Sequence, residues 1–167
     1  ETYSFHDVVK QAGVEGYTEP DPKIDLSGVD VARKILILIR ESGVSMEMED
    51  IENNCFLPEE CMNTTNNDDF FKSLLKNESH FNQLLAEAKE KDSRIKFVAQ
   101  YDNGKASVGL QFIPKESPFY NLEGKDNIVQ FFTERYVDQP LLIKGAGAGA
   151  AVTASGIFAD VIRIGNV

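Results

Sequence analysis

Several broad classes are excluded by what this sequence lacks. It has no run of lysine or arginine, and 27 acidic residues against 17 basic ones leave a net charge of −10. Nucleic acid and anionic membrane surfaces are poor partners for such a chain. No apolar stretch reaches the roughly 18 residues that a transmembrane helix needs. No signal peptide opens the chain, and a cytoplasmic setting is expected. Two cysteines (Cys55, Cys61) and two histidines (His6, His80) are too few and wrongly spaced for a zinc knuckle, so no metal site is expected. The thiols read as free in a reducing cytosol. The sequons at Asn63-Thr64-Thr65 and Asn77-Glu78-Ser79 matter only in a secreted protein. The chain opens on Glu1 with no initiator methionine, and is expected to be a piece of something longer.

What is present fits a soluble globular domain, or one domain with an appendage: 167 residues, 42% hydrophobic and 26% charged. The informative stretch is GYTEPDPKIDLSGVDVARK, Gly16 to Lys34. A proline-stiffened polar loop carries Glu19, Asp21 and Asp25, and Pro20 and Pro22 restrict both themselves and the residues before them. Asp25, Ser27 or Gly28 can then cap a helix running to about Ser42. Asp30 and Lys34 stand at i and i+4, acid before base. The run of Val31, Ala32 and Ile35 to Ile39, apolar nearly all round and with Gly43 just past it, predicts a central, buried helix that fixes this pair. The arrangement sets one cation beside several carboxylates, although a plain surface ion pair has the same spacing. A calcium loop is excluded, since the sixth position from Asp21 is Leu26 where an EF-hand needs glycine.

Elsewhere, Ser4 can cap a helix through Ala12. Met46 to Ile51 alternates weakly as a short strand, and Pro58-Glu59-Glu60 opens a helical turn. Asp68 and Asp69 lead one amphipathic helix, and Glu78 or Ser79 opens the next. Asn103-Gly104 predicts a two-residue hairpin turn. It pairs Asp102 with Lys105, Tyr101 with Ala106, Ala99 with Val108, Phe97 with Leu110 and Ile95 with Phe112, so that one face is apolar. That side is expected to pack on helices, and the other to meet water or a second subunit. Further strands are expected over 128–133 and 140–144.

After them, Gly145-Ala146-Gly147-Ala148-Gly149-Ala150 satisfies G-x-G-x-x-[GA] between a strand and a helix. Only 17 residues follow Ala150, too few for another βαβ crossover, and no Gly-Lys-Ser/Thr occurs. The motif is therefore expected to be neither a Rossmann core nor a P-loop. It is either a helix N-terminus that lets an anion or cofactor approach, or a tight turn of small residues.

Taken together, Ala12-x3-Gly16-Tyr17-Thr18-Glu19-Pro20-Asp21-Pro22 and Asp25-Leu26-Ser27-Gly28-Val29-Asp30-x3-Lys34 resemble the signature of homoserine dehydrogenases. The tail KGAGAGAAVTASGIFADVIRI is similar to that family's C-terminal segment, and the order between resembles the dehydrogenase portion of fused aspartokinase–homoserine dehydrogenases. The resemblance implies an α+β fold with a mixed, largely antiparallel sheet, helices on one face, and no counterpart of the family's Rossmann domain. Residues 1–144 would form the catalytic and dimerisation domain. Residues 145–167 would form a glycine turn and helix packing towards the missing domain, exposing Ile157 and Phe158 in its absence.

It further implies interconversion of L-aspartate 4-semialdehyde and L-homoserine with NADP or NAD, mostly held by the absent domain. Lys34 would be the acid/base residue, assisted by Asp30. Glu19 and Asp30 would hold substrate, with Asp25 and Tyr17 in the same cluster. Gly145, Gly147 and Gly149 would approach the cofactor. A homodimer through the sheet and a fused aspartokinase are implied partners, and little turnover is expected from the fragment alone. A non-catalytic dimerisation or interaction module is the competing expectation; a regulatory small-molecule domain has no support from the hairpin pattern.

Overall fold

The computed structural model describes residues 3–124, 126–147 and 149–166. The chain forms two compact units, Glu1–Lys115 and Glu116–Val167.

In the first unit, α1 (Phe5–Val14) begins where the Ser4 hydroxyl accepts from the Asp7 amide at 3.1 Å. The polar stretch that follows, expected to be loop, holds a short helix, α2 (Pro22–Leu26). Asp21 caps it and Pro22 occupies the first turn, where a missing N–H costs nothing. The third helix, α3 (Val29–Glu41), is capped at Gly28, with neither Asp25 nor Ser27 in that position. It ends before Gly43, whose φ of +91° makes the left-handed exit expected of a glycine there.

Ahead of the first strand, Met48–Asp50 is a single 3-10 turn, so the strand expected over 46–51 begins only at Ile51, as β1 (Ile51–Asn54). Then come α4 (Glu59–Met62), α5 (Asn67–Lys76), α6 (Glu78–Glu90), β2 (Ser93–Asp102) and β3 (Lys105–Pro114). The β2–β3 register is the one the Asn-Gly turn demands, from Asp102 with Lys105 to Ile95 with Phe112. β1 adds in parallel along β3, Ile51 opposite Ala106, giving the order β1-β3-β2. Gly109 permits this approach, because a Cβ there would lie 2.9 Å from the Asn54 Cβ.

The apolar face of the sheet supplies Ile51, Ala106 and Val108 to a core with Ala32, Leu36 and Ile39 of α3, flanked by Phe97, Ala99 and Tyr101. A second core joins Val9, Leu57, Cys61, Phe70, Leu74 and Phe81. Phe56 links the two, with edge contacts to Phe81 and Phe97. The α3 helix is not buried all round. Its Ala32–Leu36–Ile39 stripe faces the sheet, while Ile37 is 60% exposed, because one small sheet can cover only one face of a helix.

The second unit is a separate antiparallel pair, β4 (Asp126–Thr133) and β5 (Tyr136–Ala146), followed by α7 (Ala150–Gly165). The single mixed sheet expected from sequence is therefore two small sheets within an α+β fold. Gly145 belongs to β5, paired with Asn127, so the glycine turn starts later than the motif suggests; Ala148 lies outside the described residues. No residue of α7 is buried, and Val152, Val161 and Ile162 are exposed along with Ile157 and Phe158.

Two substitutions test this packing. A methyl at Gly28 would lie 2.5 Å from Phe97 Cζ and 2.9 Å from Asn53 Oδ1, at a φ of +82°. Gly28→Ala should therefore lose about 2 kcal/mol or more in chemical denaturation; unchanged stability would contradict the close seat. At the start of α5, the Asn66 carbonyl accepts from the Asp69 amide and its amide donates to the Asp69 carboxylate, both at 2.9 Å. That donation, with the Lys72 ammonium, holds the Asp69 carboxyl below its usual value. Its contribution is thus present at neutral pH and fades as pH falls through the lowered value. Asn66→Ala should cost about 1 kcal/mol and move the Asp69 titration upward by NMR; an unmoved titration would contradict the cap.

Candidate functional site

The acidic stretch is built on three fixed points. Pro22, Ser27 and Gly28 are buried, while Glu19, Asp25, Asp30 and Lys34 are exposed, so the backbone is held from below and the charged groups face outward. The Asn53 amide on β1 donates to the Ser27 carbonyl at 2.9 Å. Gly28 sits beneath Phe97 and Asn53 with no room for a side chain. Its carbonyl accepts from the Ala32 amide at 2.9 Å, which starts α3 at that anchored point.

Within the loop, the Glu19 amide donates to the Asp25 carboxylate at 2.8 Å, closing a ring of seven residues. Asp25 is thereby a loop-shaping group as well as an exposed acid. Tyr17 is 62% exposed, and its amide donates to the Ala12 carbonyl at 2.9 Å, continuing the end of α1. One turn into α3, the Lys34 ammonium pairs with Asp30 at 2.7 Å, with side chains 59% and 53% exposed.

The site residues thus fall into two groups on one support: Glu19 with Asp25, and Asp30 with Lys34. Among the described residues no hydrogen bond or ion pair joins Glu19 to Lys34, and the cation expected beside several carboxylates pairs directly with Asp30, both side chains being exposed. An exposed pair contributes only a few tenths of a kcal/mol, and here it fixes direction more than stability.

Sequence reasoning missed Lys23. Its side chain is only 15% exposed, and its ammonium donates to the Thr64 carbonyl at 2.5 Å with an Asp21 oxygen at 3.8 Å. It also missed Asn67, whose amide donates to the Pro20 carbonyl at 2.7 Å. The Asp21-Pro22 pair, a cap followed by a first-turn proline, was the available signal for the small helix that points Lys23 inward.

The three glycines differ. A Cβ at Gly145 or Gly149 would meet nothing within 4 Å, whereas at Gly147 it would run into the Asn127 side chain. Gly149 has a φ of +136° and precedes α7, whose first amides receive no side-chain cap. Gly149 and Gly145 therefore face open space where a side chain would stand, whereas Gly147 is explained by packing in its own hairpin. Within the first unit lies an open apolar depression of about 350 Å³, lined by Cys55, Phe56, His80, Leu84, Leu110 and Phe112 among others. No group of three or more His, Cys, Asp or Glu placed to hold a metal occurs among the described residues, and no described helix is long and apolar enough to cross a membrane.

A family profile described as homoserine dehydrogenase matches residues 1–162. The chain is 41% identical over 165 residues to the bifunctional aspartokinase/homoserine dehydrogenase 1 of Zea mays, covering 98% of this chain and 18% of that protein. It is 42% identical over 166 residues to the homoserine dehydrogenase of Schizosaccharomyces pombe, covering 98% and 44%. It therefore spans less than half the length of these relatives. Among solved structures, a Candida auris protein of unknown function superposes with a TM-score of 0.90 at 37% identity, over 99% of this chain and 47% of that one. The homoserine dehydrogenase of Staphylococcus aureus at pH 7.0 shares the fold, with a TM-score of 0.71 at 23% identity over 98% and 37%. On the profile match across nearly its whole length, this chain belongs to the homoserine dehydrogenase family.

Proposed function

We propose that the chain is the substrate-binding and proton-transfer part of an enzyme interconverting L-aspartate 4-semialdehyde and L-homoserine, on the route to threonine and methionine. The observation that carries the reading is the Gly16–Lys34 stretch, in which backbone anchors at Ser27 and Gly28 present Glu19, Asp30 and Lys34 outward together.

In this reading Glu19 accepts N–H bonds from the substrate ammonium, since an ionised carboxylate has several acceptor sites. Asp30, 2.7 Å from the Lys34 ammonium, aims it. Lys34 gives a proton to the carbonyl oxygen in one direction and takes it from the hydroxyl in the other. A nicotinamide nucleotide, NAD or NADP, supplies or accepts the hydride when bound. On this chain Gly145 and Gly149 leave room for its close approach. The rest of the nucleotide site, and the outer sheet face as a homodimer surface, belong to the same proposal. The exposure of Lys34 and Asp30 also agrees with a domain that turns over little substrate by itself.

Kinetics of the full-length parent protein test the assignments separately. Lys34→Ala should lower kcat about 100-fold or more, with a much smaller effect on the homoserine KM. Glu19→Ala should raise the homoserine KM about tenfold or more. A Lys34→Ala enzyme with near-normal kcat would remove Lys34 from the chemistry, and an unmoved KM would remove Glu19 from binding. If both held, the chain would be a non-catalytic interaction module.

A further inference from the structure

Two contacts reach the acidic loop from a distant part of the chain. The Lys23 ammonium donates to the Thr64 carbonyl and the Asn67 amide to the Pro20 carbonyl, across sequence separations of 41 and 47 residues. They fall on Thr64, between α4 and α5, and on Asn67, the first residue of α5, a stretch that is itself firm: the Thr64 hydroxyl donates to the Cys61 carbonyl at 2.9 Å, Cys61 is fully buried, and Asn66 and Asp69 lock the start of α5.

The chemistry of Lys23 is that of an internal fastener. A lysine with only 15% of its side chain exposed needs acceptors for its ammonium. It finds a backbone carbonyl and the acid that caps its own helix. The contacts bracket Pro20 and Asp21, next to Glu19, while the Glu19–Asp25 bond closes the loop from the other side. Besides them, the Glu19 backbone is held by the local Asp25 bond, by the Tyr17–Ala12 bond before it and by the anchor further along at Ser27.

We propose that Lys23 and Asn67 are positioning residues of the substrate site, fastening the Glu19 loop to the 64–67 segment so that its carboxylate is pre-set for the substrate ammonium. This rests on the dehydrogenase reading above. Neither residue touches the reacting atoms; each acts through the placement of Glu19, where small displacements weaken binding.

The test is homoserine oxidation by the full-length parent protein carrying Asn67→Asp, Lys23→Met or Lys23→Arg. Asn67→Asp replaces an exposed amide donor with a carboxylate facing a carbonyl, and does not threaten folding. It should raise the homoserine KM about fivefold, the loss expected for one hydrogen bond. Nucleotide KM and melting temperature should be unchanged. Lys23→Met should raise the homoserine KM at least as much, and Lys23→Arg, which keeps a cationic donor, should restore most of it. An unchanged homoserine KM in Asn67→Asp would overturn the proposal, as would variants in which both KM values, kcat and melting temperature shift together. If the wild-type protein itself oxidises no homoserine, the functional reading fails instead, and is distinguished by that control.

Discussion

The close seat of the Gly28 backbone against Phe97 and Asn53 is the constraint on which the rest of this structure depends. There the chain leaves a small helix, takes a φ of +82° and starts a longer one, with its carbonyl accepting the first bond of α3. Any side chain at 28 would separate the helix from the sheet. Because Ser27 is bonded to Asn53 at the same place, the acidic loop on one side and the Asp30–Lys34 turn on the other share one anchor. Their relative position is thereby fixed through backbone, which is stiffer than contact between long side chains.

That architecture gives the proposed site an exposed electrostatic setting. The anchors are buried and the charged groups are in water, so in this chain the ion pair is weak and the carboxylates are solvated. The same charges interact several times more strongly once water is displaced from them. A rigid, solvated constellation of this kind suits a site completed by a second surface: direction is set in advance, and strength comes with closure. The division of labour agrees with a chain that spans less than half the length of its relatives.

Much of the fold was legible because local chemistry left few choices. Asn103-Gly104 fixed the hairpin register residue by residue, and the spacing of apolar residues located α5 and α6 within a residue or two. The failures have definite causes. Leu36 to Ile39 reads as uniformly apolar, but burial depends on how much sheet is available, which periodicity does not encode. The parallel addition of β1 depends on the absent side chain of Gly109, a non-local fact. At the site, the identity of the exposed groups could be read from the motif, whereas Lys23 and Asn67 acquire meaning only through partners more than 40 residues away.

The most direct test of this account is a crystal structure of the full-length parent protein with L-homoserine and nucleotide. The account predicts the homoserine ammonium on the Glu19 carboxylate and its hydroxyl within about 3 Å of Lys34 Nζ, with Ser27 and Gly28 seated as they are here. Homoserine bound elsewhere, with Lys34 still paired only to Asp30 and open to solvent, would contradict it.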